Sequence, residues 1–139
     1  MGQDTVARRV TVAVVDDHQV VLDGVRLWID SDPLHRVDVV AEGPEIEAVL
    51  AGPGRDADVL VLDLGIFGTS VVDRIAELAS RHKVVVFSAE THDDTVRAVL
   101  EAGGSGYVTK HEGRDHLLHA VSRPPPTCRT SRRRRRERC

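Results

Sequence analysis

The sequence predicts an α/β fold: a doubly wound parallel sheet of five strands with helices on both faces. Short β-branched apolar runs alternate with segments whose apolar residues recur at helical spacing. Such alternation is typical of βαβ units with right-handed crossovers. A length of 139 residues suits one such domain with a substantial core.

Five strands are predicted from short runs of consecutive apolar residues rich in valine, as in strands buried on both faces. They span residues 10–15, 37–42, 58–63, 83–88 and 106–110. Each run is followed by a segment with a helical pattern, so the helices are predicted in the same order.

The first helix is predicted over residues 20–29 from four apolar residues at helical spacing: Val21, Val25, Trp28 and Ile29. Asp32-Pro33 is expected to stop it, because the residue before a proline disfavours helical geometry. A second, short helix is predicted from Pro44 to Leu50, since proline is favoured in a first helical turn.

The third helix is predicted behind Ser70 and Asp73, which have capping-box spacing. Its apolar stripe consists of Val72, Ile75, Ala76 and Ala79. The helix should end near Arg81-His82, because cations suit a helix C-terminus.

The fourth helix has a similar cap signal in Thr91 and Asp94. Gly103-Gly104 should close it. Its apolar residues are Val96, Val99 and Leu100. The fifth helix should end before Pro124, and its apolar residues are Leu117, Leu118 and Val121.

Polar side chains lie at the carboxyl ends of four predicted strands. These are Asp16-Asp17, Asp63, Ser88 and Lys110. In a parallel sheet these ends meet at one edge, where open α/β sheets bind their ligands. Three carboxylates gathered there would raise each other's pKa values unless a cation lies among them.

A divalent cation and a phosphoryl group fit this set of side chains. Mg²⁺ prefers one or two carboxylates together with waters and phosphate oxygens, so Asp17 and Asp63 are predicted ligands and Asp16 is predicted to hold a ligand water. The Ser88 hydroxyl can donate to a phosphoryl oxygen, and the Lys110 ammonium can act as a point charge beside it. The set therefore supplies a carboxylate nucleophile, metal ligands and two stabilising groups for phosphoryl transfer.

These motifs resemble the receiver domain of bacterial two-component response regulators, more closely those of the NarL/LuxR type. The resemblance runs from about Val10 to Val121. The acidic-pair strand and first helix of the family match VVDDHQVVLDGV, and the phosphoacceptor position lies in DVLVLDL. The family's hydroxyl lies in VVVFSAE, and its switch aromatic and lysine lie in GGSGYVTK. The combination of four motifs in order, each at a strand end, is specific.

The resemblance implies a flavodoxin-like sheet with strand order 2-1-3-4-5. It also implies that Asp63 accepts a phosphoryl group with the help of Ser88 and Lys110. Mg²⁺ would be held by four residues, the last through its backbone carbonyl: Asp16, Asp17, Asp63 and Gly65.

The implied partner is a sensor histidine kinase, whose phosphohistidine donates to Asp63. New charge on Asp63 is expected to draw Ser88 toward it and Tyr107 inward, which changes the surface of the last two helices and the strand between them. A homodimer and control of transcription belong to the same implication. No enzyme activity is expected beyond self-catalysed phosphotransfer and dephosphorylation.

One segment departs from the family pattern. The family usually reads D-x-x-x-P-G after the acceptor, whereas this chain reads DLGIFGTS, with Phe67 at the proline position. Asp63 and Ser88 are 25 positions apart, fewer than the family spacing. A phosphorylation-independent pseudo-receiver that acts as a protein-interaction module is therefore the alternative. A free-standing phosphatase with Asp63 or Asp16 as nucleophile is weaker, since it would need a D-x-D pair with the second aspartate as general acid, and Asp16-Asp17-His18 and Asp63-Leu64-Gly65 do not form one.

The histidines are interpreted as lying outside the site. His18 follows the acidic pair and is expected to be a cap-region imidazole near the site. His116 and His119 lie three positions apart on the last helix without a carboxylate or cysteine at ligand spacing, so they are expected at the surface.

Charge divides the chain into an acidic body and a basic tail. Residues 1–122 contain 11 Lys/Arg against 21 Asp/Glu, and residues 123–139 contain 8 against 1. The body is therefore a poor candidate for binding nucleic acid. The tail is too short and too polar for a helix-turn-helix domain. It is either a basic arm for nucleic acid or acidic lipid, or an unselected by-product, which is the favoured interpretation.

The expected organisation is a disordered segment 1–9, a receiver domain 10–122 and a disordered tail 123–139. DNA contact is expected only through an absent output domain or, less favoured, through the tail. A cytoplasmic location is expected, because no apolar run suits export or membrane insertion and both cysteines lie in the last twelve residues.

Overall fold

The chain forms a parallel sheet of five strands with helices on both faces. The structure, a computed structural model, describes residues 9–65, 72–89 and 92–123. The strands are β1 (Val10–Val15), β2 (Val37–Gly43), β3 (Val59–Leu62), β4 (Lys83–Ser88) and β5 (Gly106–Thr109). All neighbouring strands are parallel, in the order β2-β1-β3-β4-β5. The predicted fold class and strand order are confirmed.

Within the described ranges, five helices alternate with these strands, as the sequence predicts. They are α1 (Gln19–Asp30), α2 (Ile46–Ala51), α3 (Ile75–Ala79), α4 (Asp93–Glu101) and α5 (Arg114–Ser122). Short 3₁₀ segments precede β3 and α3, at Pro53–Asp56 and Val72–Arg74. Among the helices of the described ranges, none is long and apolar enough to cross a membrane.

The core consists of two apolar layers, one on each face of the sheet. Val12 and Val14 of β1 pack in the layer that includes α1 and α5 residues, whereas Ala13 and Val15 pack in the layer of α2, α3 and α4. This division follows from the two-residue alternation of side chains along a strand. Every residue of β3 is buried, so the continuous apolar runs reflect burial on both faces, as predicted.

Two of the predicted apolar stripes are wrong in part. Ala76 is exposed and Leu78 is buried in its place, because the 3₁₀ segment before α3 has three residues per turn and changes which positions face the sheet. Leu100 is 49% exposed, whereas Val99 is fully buried. Adjacent helical residues point about 100° apart, so α4 presents only Val99 of this pair to the sheet.

The end of α4 has the predicted glycine geometry. Gly103 has a φ of +112°, which favours glycine, and the Gly104 N–H donates to the Val99 carbonyl over 2.9 Å. The predicted cap residues Ser70 and Thr91 lie outside the described residues. Asp94 lies in the first turn of α4, whose N-cap residue is His92.

Asp32 has a larger role than stopping the first helix, which ends at Asp30. Its buried carboxylate accepts hydrogen bonds from Arg36 Nε at 3.0 Å and Nη2 at 3.2 Å. The Arg36 hydrogen bonds lower the pKa of Asp32 to about 2. The backbone N–H groups of Leu34 and Arg36 also donate to Asp32. Asp32 therefore holds together the segment that connects α1 to β2.

Candidate functional site

Two acidic positions meet at the carboxyl edge because β1 and β3 are neighbours. Asp16 directly follows β1, and its N–H donates to the Gly43 carbonyl over 3.1 Å. Asp63 directly follows β3, and its N–H donates to the Val15 carbonyl over 3.1 Å. Both carboxylates are buried, with exposed fractions of 2% for Asp16 and 7% for Asp63. The backbone ladder therefore brings the predicted carboxylates together.

Lys110 reaches this pair from the other side of the site. Its Nζ lies 2.9 Å from Asp16 Oδ2 and 3.5 Å from Asp63 Oδ1. The Lys110 N–H donates to the Ser88 carbonyl over 2.9 Å, which ties the end of β5 to the end of β4. The four predicted strand ends thus meet at one edge of the sheet, with the Lys110 ammonium in contact with the carboxylates of Asp16 and Asp63.

The two predicted switch residues lie on β4 and β5. Ser88 is the last residue of β4 and is 4% exposed. Tyr107 is partly buried and packs against the layer of α2, α3 and α4. Ser88 therefore lies at the acidic edge, and Tyr107 lies on the neighbouring strand in the layer that includes α4.

The electrostatics of the edge disfavour a charged Asp63. Burial is the main cause that raises the pKa of Asp63, and the neighbouring charge of Asp16 adds to it. Asp17 contributes in the same direction, whereas Lys110 lowers the pKa and only partly offsets the others. An added cation would relieve this repulsion, as predicted for this edge.

The donor groups suit a divalent cation. Asp16, Asp17, His18 and Asp63 each offer one ligand atom, and all of these atoms lie within 4.8 Å of one another. Carboxylate oxygens are the ligands that Mg²⁺ prefers, so the three aspartates fit this ion by their chemistry. Gly65, whose carbonyl is the fourth predicted ligand, lies in the turn two residues after Asp63.

His18 lies closer to the carboxylates than the sequence interpretation places it. Its Nδ1 is 3.2 Å from Asp16 Oδ1 and 3.0 Å from Asp17 Oδ1. His18 is the N-cap residue of α1, and its side chain makes no cap hydrogen bond there. The position of His18 directly after the acidic pair indicated that it lies near these carboxylates. The sequence did not give the direction of its side chain, because at an N-cap this direction depends on the local turn.

His116 and His119 are exposed, as expected. Phe67 and most of the altered DLGIFGTS segment lie outside the described residues, as do residues 124–139.

Comparison with known proteins gives a consistent result. A family model described as the response regulator receiver domain matches residues 12–122. The chain is 34% identical over 116 residues to the DNA-binding transcriptional activator DevR/DosR of Mycobacterium tuberculosis, and 30% identical over 115 residues to the nitrate/nitrite response regulator protein NarL of Escherichia coli. These alignments cover 81% and 80% of this chain. They cover 52% of each relative, so the chain spans about half their length.

Solved structures with the same architecture include two receiver-type proteins. The signal receiver domain of a NarL response regulator from Mycobacterium tuberculosis has a TM-score of 0.72 at 27% identity, covering 83% of this chain and 94% of that one. A LuxR-family two-component response regulator from Aurantimonas has a TM-score of 0.71 at 27% identity, covering 82% of this chain and 83% of that one. The likeness therefore extends over most of the described residues.

Proposed function

The chain belongs to the response regulator receiver domain family, in its NarL/LuxR-type branch, and we propose that it is a Mg²⁺-dependent phosphoacceptor. In this proposal Asp63 receives the phosphoryl group of a sensor histidine kinase. The modified domain then presents a changed surface that controls a transcriptional output.

The observation that carries the proposal is the position of Lys110 between two carboxylates. Its Nζ lies 2.9 Å from Asp16 Oδ2 and 3.5 Å from Asp63 Oδ1, at an edge where Asp63 is buried. A structural ion pair needs only one partner carboxylate. The additional carboxylates raise the pKa of Asp63 together with its burial, a cost that is typical of functional sites.

The proposed transfer exchanges one bond to phosphorus for another. The P–N bond of a phosphohistidine breaks and its electron pair stays on the imidazole, while an Asp63 carboxylate oxygen forms the new P–O bond. Lys110 offsets charge on the phosphoryl oxygens and on Asp63, and the Ser88 hydroxyl donates to a phosphoryl oxygen. The carboxylates of Asp16, Asp17 and Asp63 and the Gly65 carbonyl would hold Mg²⁺, which would supply further positive charge beside those oxygens.

The proposed switch is a local change of charge that biases the packing of two strands. The phosphoryl group draws Ser88 toward Asp63, and Tyr107 moves inward into the space that Ser88 leaves. Because Ser88 and Tyr107 lie on neighbouring strands, the movement changes the surface of α4, β5 and α5. This surface is the proposed contact for a second copy or for an output segment.

The partners follow from this function. A sensor histidine kinase supplies the phosphoryl group, and control of DNA transcription belongs to a longer protein or assembly in which this domain works. Since the chain spans about half of its relatives, the DNA-binding part is proposed in an output domain, with the basic residues 123–139 as the less favoured alternative.

The direct test is the intact mass of the chain after incubation with Mg²⁺ and acetyl phosphate. Wild type should gain one phosphoryl group, and Asp63→Asn should gain none. Asp115→Asn is the matched control, because it removes an exposed carboxylate on α5 and should leave the adduct unchanged.

Two results would contradict the proposal. An adduct on Asp63→Asn would assign the acceptor to another residue. Absence of an adduct on folded wild type, with acetyl phosphate and with a phosphorylated kinase, would favour the phosphorylation-independent interaction module.

A further inference from the structure

The turn between β1 and α1 places His18 at the proposed cation site. The His18 N–H donates to Asp16 Oδ1 over 2.9 Å, so the backbone folds back onto the carboxylate that the side chain also approaches. The ring Nδ1 lies 3.2 Å from this oxygen and 3.0 Å from Asp17 Oδ1. One nitrogen therefore faces both members of the acidic pair.

These separations also match those of atoms that share one metal ion. Ligands bound at about 2.1 Å and at right angles lie roughly 3 Å apart, and opposite ligands lie about 4.2 Å apart. The four ligand atoms of Asp16, Asp17, His18 and Asp63 are within 4.8 Å of one another. Small side-chain adjustments would bring all four around one ion.

Imidazole changes which ion such a site prefers. A site built only of oxygen ligands suits Mg²⁺, whereas a neutral imidazole nitrogen suits Co²⁺, Ni²⁺ and Zn²⁺. The His18 side chain is 68% exposed, so water can reach the ring and the nitrogen can leave its carboxylate contacts when an ion enters. It adds a ligand without adding charge to a site in which three carboxylates face one ammonium.

We propose that His18 is a fourth side-chain ligand of the acidic-edge cation site and that it shifts this site toward transition-metal ions over Mg²⁺. This inference rests on the proposed metal site of Asp16, Asp17 and Asp63. It adds a ligand and a metal preference that the three carboxylates alone do not provide.

The test is a titration of the full-length chain with Mg²⁺ and with Co²⁺, read by calorimetry and by the visible absorption of bound Co²⁺. All proteins contain Cys128→Ser and Cys139→Ser, because thiolates would bind Co²⁺ independently. His18→Ala should weaken Co²⁺ binding by about tenfold or more and change Mg²⁺ binding by less than about twofold. The Co²⁺ absorption should also change in position, since a nitrogen ligand is lost.

Two further variants separate coordination from hydrogen bonding and from surface binding. His18→Gln keeps a hydrogen-bond donor for the carboxylates but lacks an imidazole, and it should behave like His18→Ala. His116→Ala removes an exposed histidine of α5 and should leave the Co²⁺ affinity of the edge unchanged.

The outcomes distinguish this inference from the proposed function. If Mg²⁺ binds wild type and is lost in Asp17→Asn, but His18→Ala changes neither ion or both equally, the His18 inference is wrong and the Mg²⁺ site stands. If folded wild type binds neither Mg²⁺ nor Co²⁺, both the His18 inference and the proposed Mg²⁺ site are wrong. Retention of Co²⁺ affinity by His18→Gln would assign the effect to a hydrogen bond instead of coordination.

Discussion

At the scale of single residues, Asp63 combines the proposed phosphoacceptor position with a cost in stability. Its pKa is raised above the ordinary value of a carboxyl group, mainly by burial and then by the charge of Asp16. The folded protein therefore binds the Asp63 proton more tightly than the unfolded chain does. The contribution of Asp63 to the free energy of unfolding must therefore fall as pH rises from its unfolded-state pKa, about 3.9, to its higher folded-state pKa.

Asp63→Asn should consequently stabilise the protein at pH 7 in the absence of divalent cations. The expected change is an increase of about 2 °C or more in the midpoint of thermal unfolding, measured in EDTA. The difference in midpoint between Asp63→Asn and wild type should disappear below about pH 3.5, where the Asp63 carboxyl group is largely protonated in the folded and the unfolded state.

Asp56→Asn, which removes an exposed carboxylate outside the acidic edge, is the control and should show a smaller change at pH 7. Addition of Mg²⁺ should reduce the advantage of Asp63→Asn, because a cation offsets the repulsion in wild type. A lower midpoint for Asp63→Asn than for wild type at pH 7 would show that Lys110 outweighs burial and Asp16.

At the scale of elements, Lys83 joins the start of β4 to the end of α5. Its Nζ donates to the carbonyls of Ala120 at 2.7 Å and Arg123 at 3.1 Å. The last carbonyls of a helix have no intrahelical donor, so this side chain supplies bonds that α5 itself cannot make. Burial lowers the pKa of Lys83 from its ordinary value, and the charge of Arg123 acts in the same direction.

Lys83→Met should keep the apolar stem and remove the donors. The expected loss is about 1 kcal/mol in the free energy of unfolding, with faster amide hydrogen exchange in the last turn of α5. Arg81→Met is the control, since Arg81 is an exposed cation in the turn before β4. Equal losses for the two variants, or unchanged exchange in α5, would contradict a specific role for Lys83.

At the scale of the whole molecule, Lys83 ties the last described residue, Arg123, to the sheet. Lys83 bonds to the Arg123 carbonyl, so the contacts of α5 extend one residue beyond its last helical residue, Ser122. This contact reaches one residue past the expected domain boundary, residue 122.

A chain that ends after Arg123 should therefore unfold within about 1 °C of the full-length protein and should gain the same single phosphoryl group. Differential scanning calorimetry and intact mass check the two parts. A chain that ends after Gly113, and so lacks α5, is the contrasting variant and should not fold, because Leu117 and Val121 are fully buried. A large loss of stability on removal of residues 124–139 alone would show that the tail contributes to the fold.

The sequence by itself determined the alternation of elements, the parallel sheet and the identity of the groups at its edge. These features depend on local patterns: continuous valine runs for strands buried on both faces, and polar residues directly after Val15, Leu62 and Thr109. Because parallel strands all end at the same edge, the alternation of strands and helices is sufficient to bring these groups together.

Only the tertiary structure decided which way individual side chains point. A 3₁₀ segment exposed Ala76 and buried Leu78, and an N-cap turn directed His18 onto the acidic pair. Lys83 bonds to carbonyls at the end of α5, 37 and 40 residues along the chain, which no local spacing indicates. The periodicity of apolar residues specifies which face of a helix or strand is buried. Contacts between elements depend instead on the directions in which turns and helix caps orient the chain.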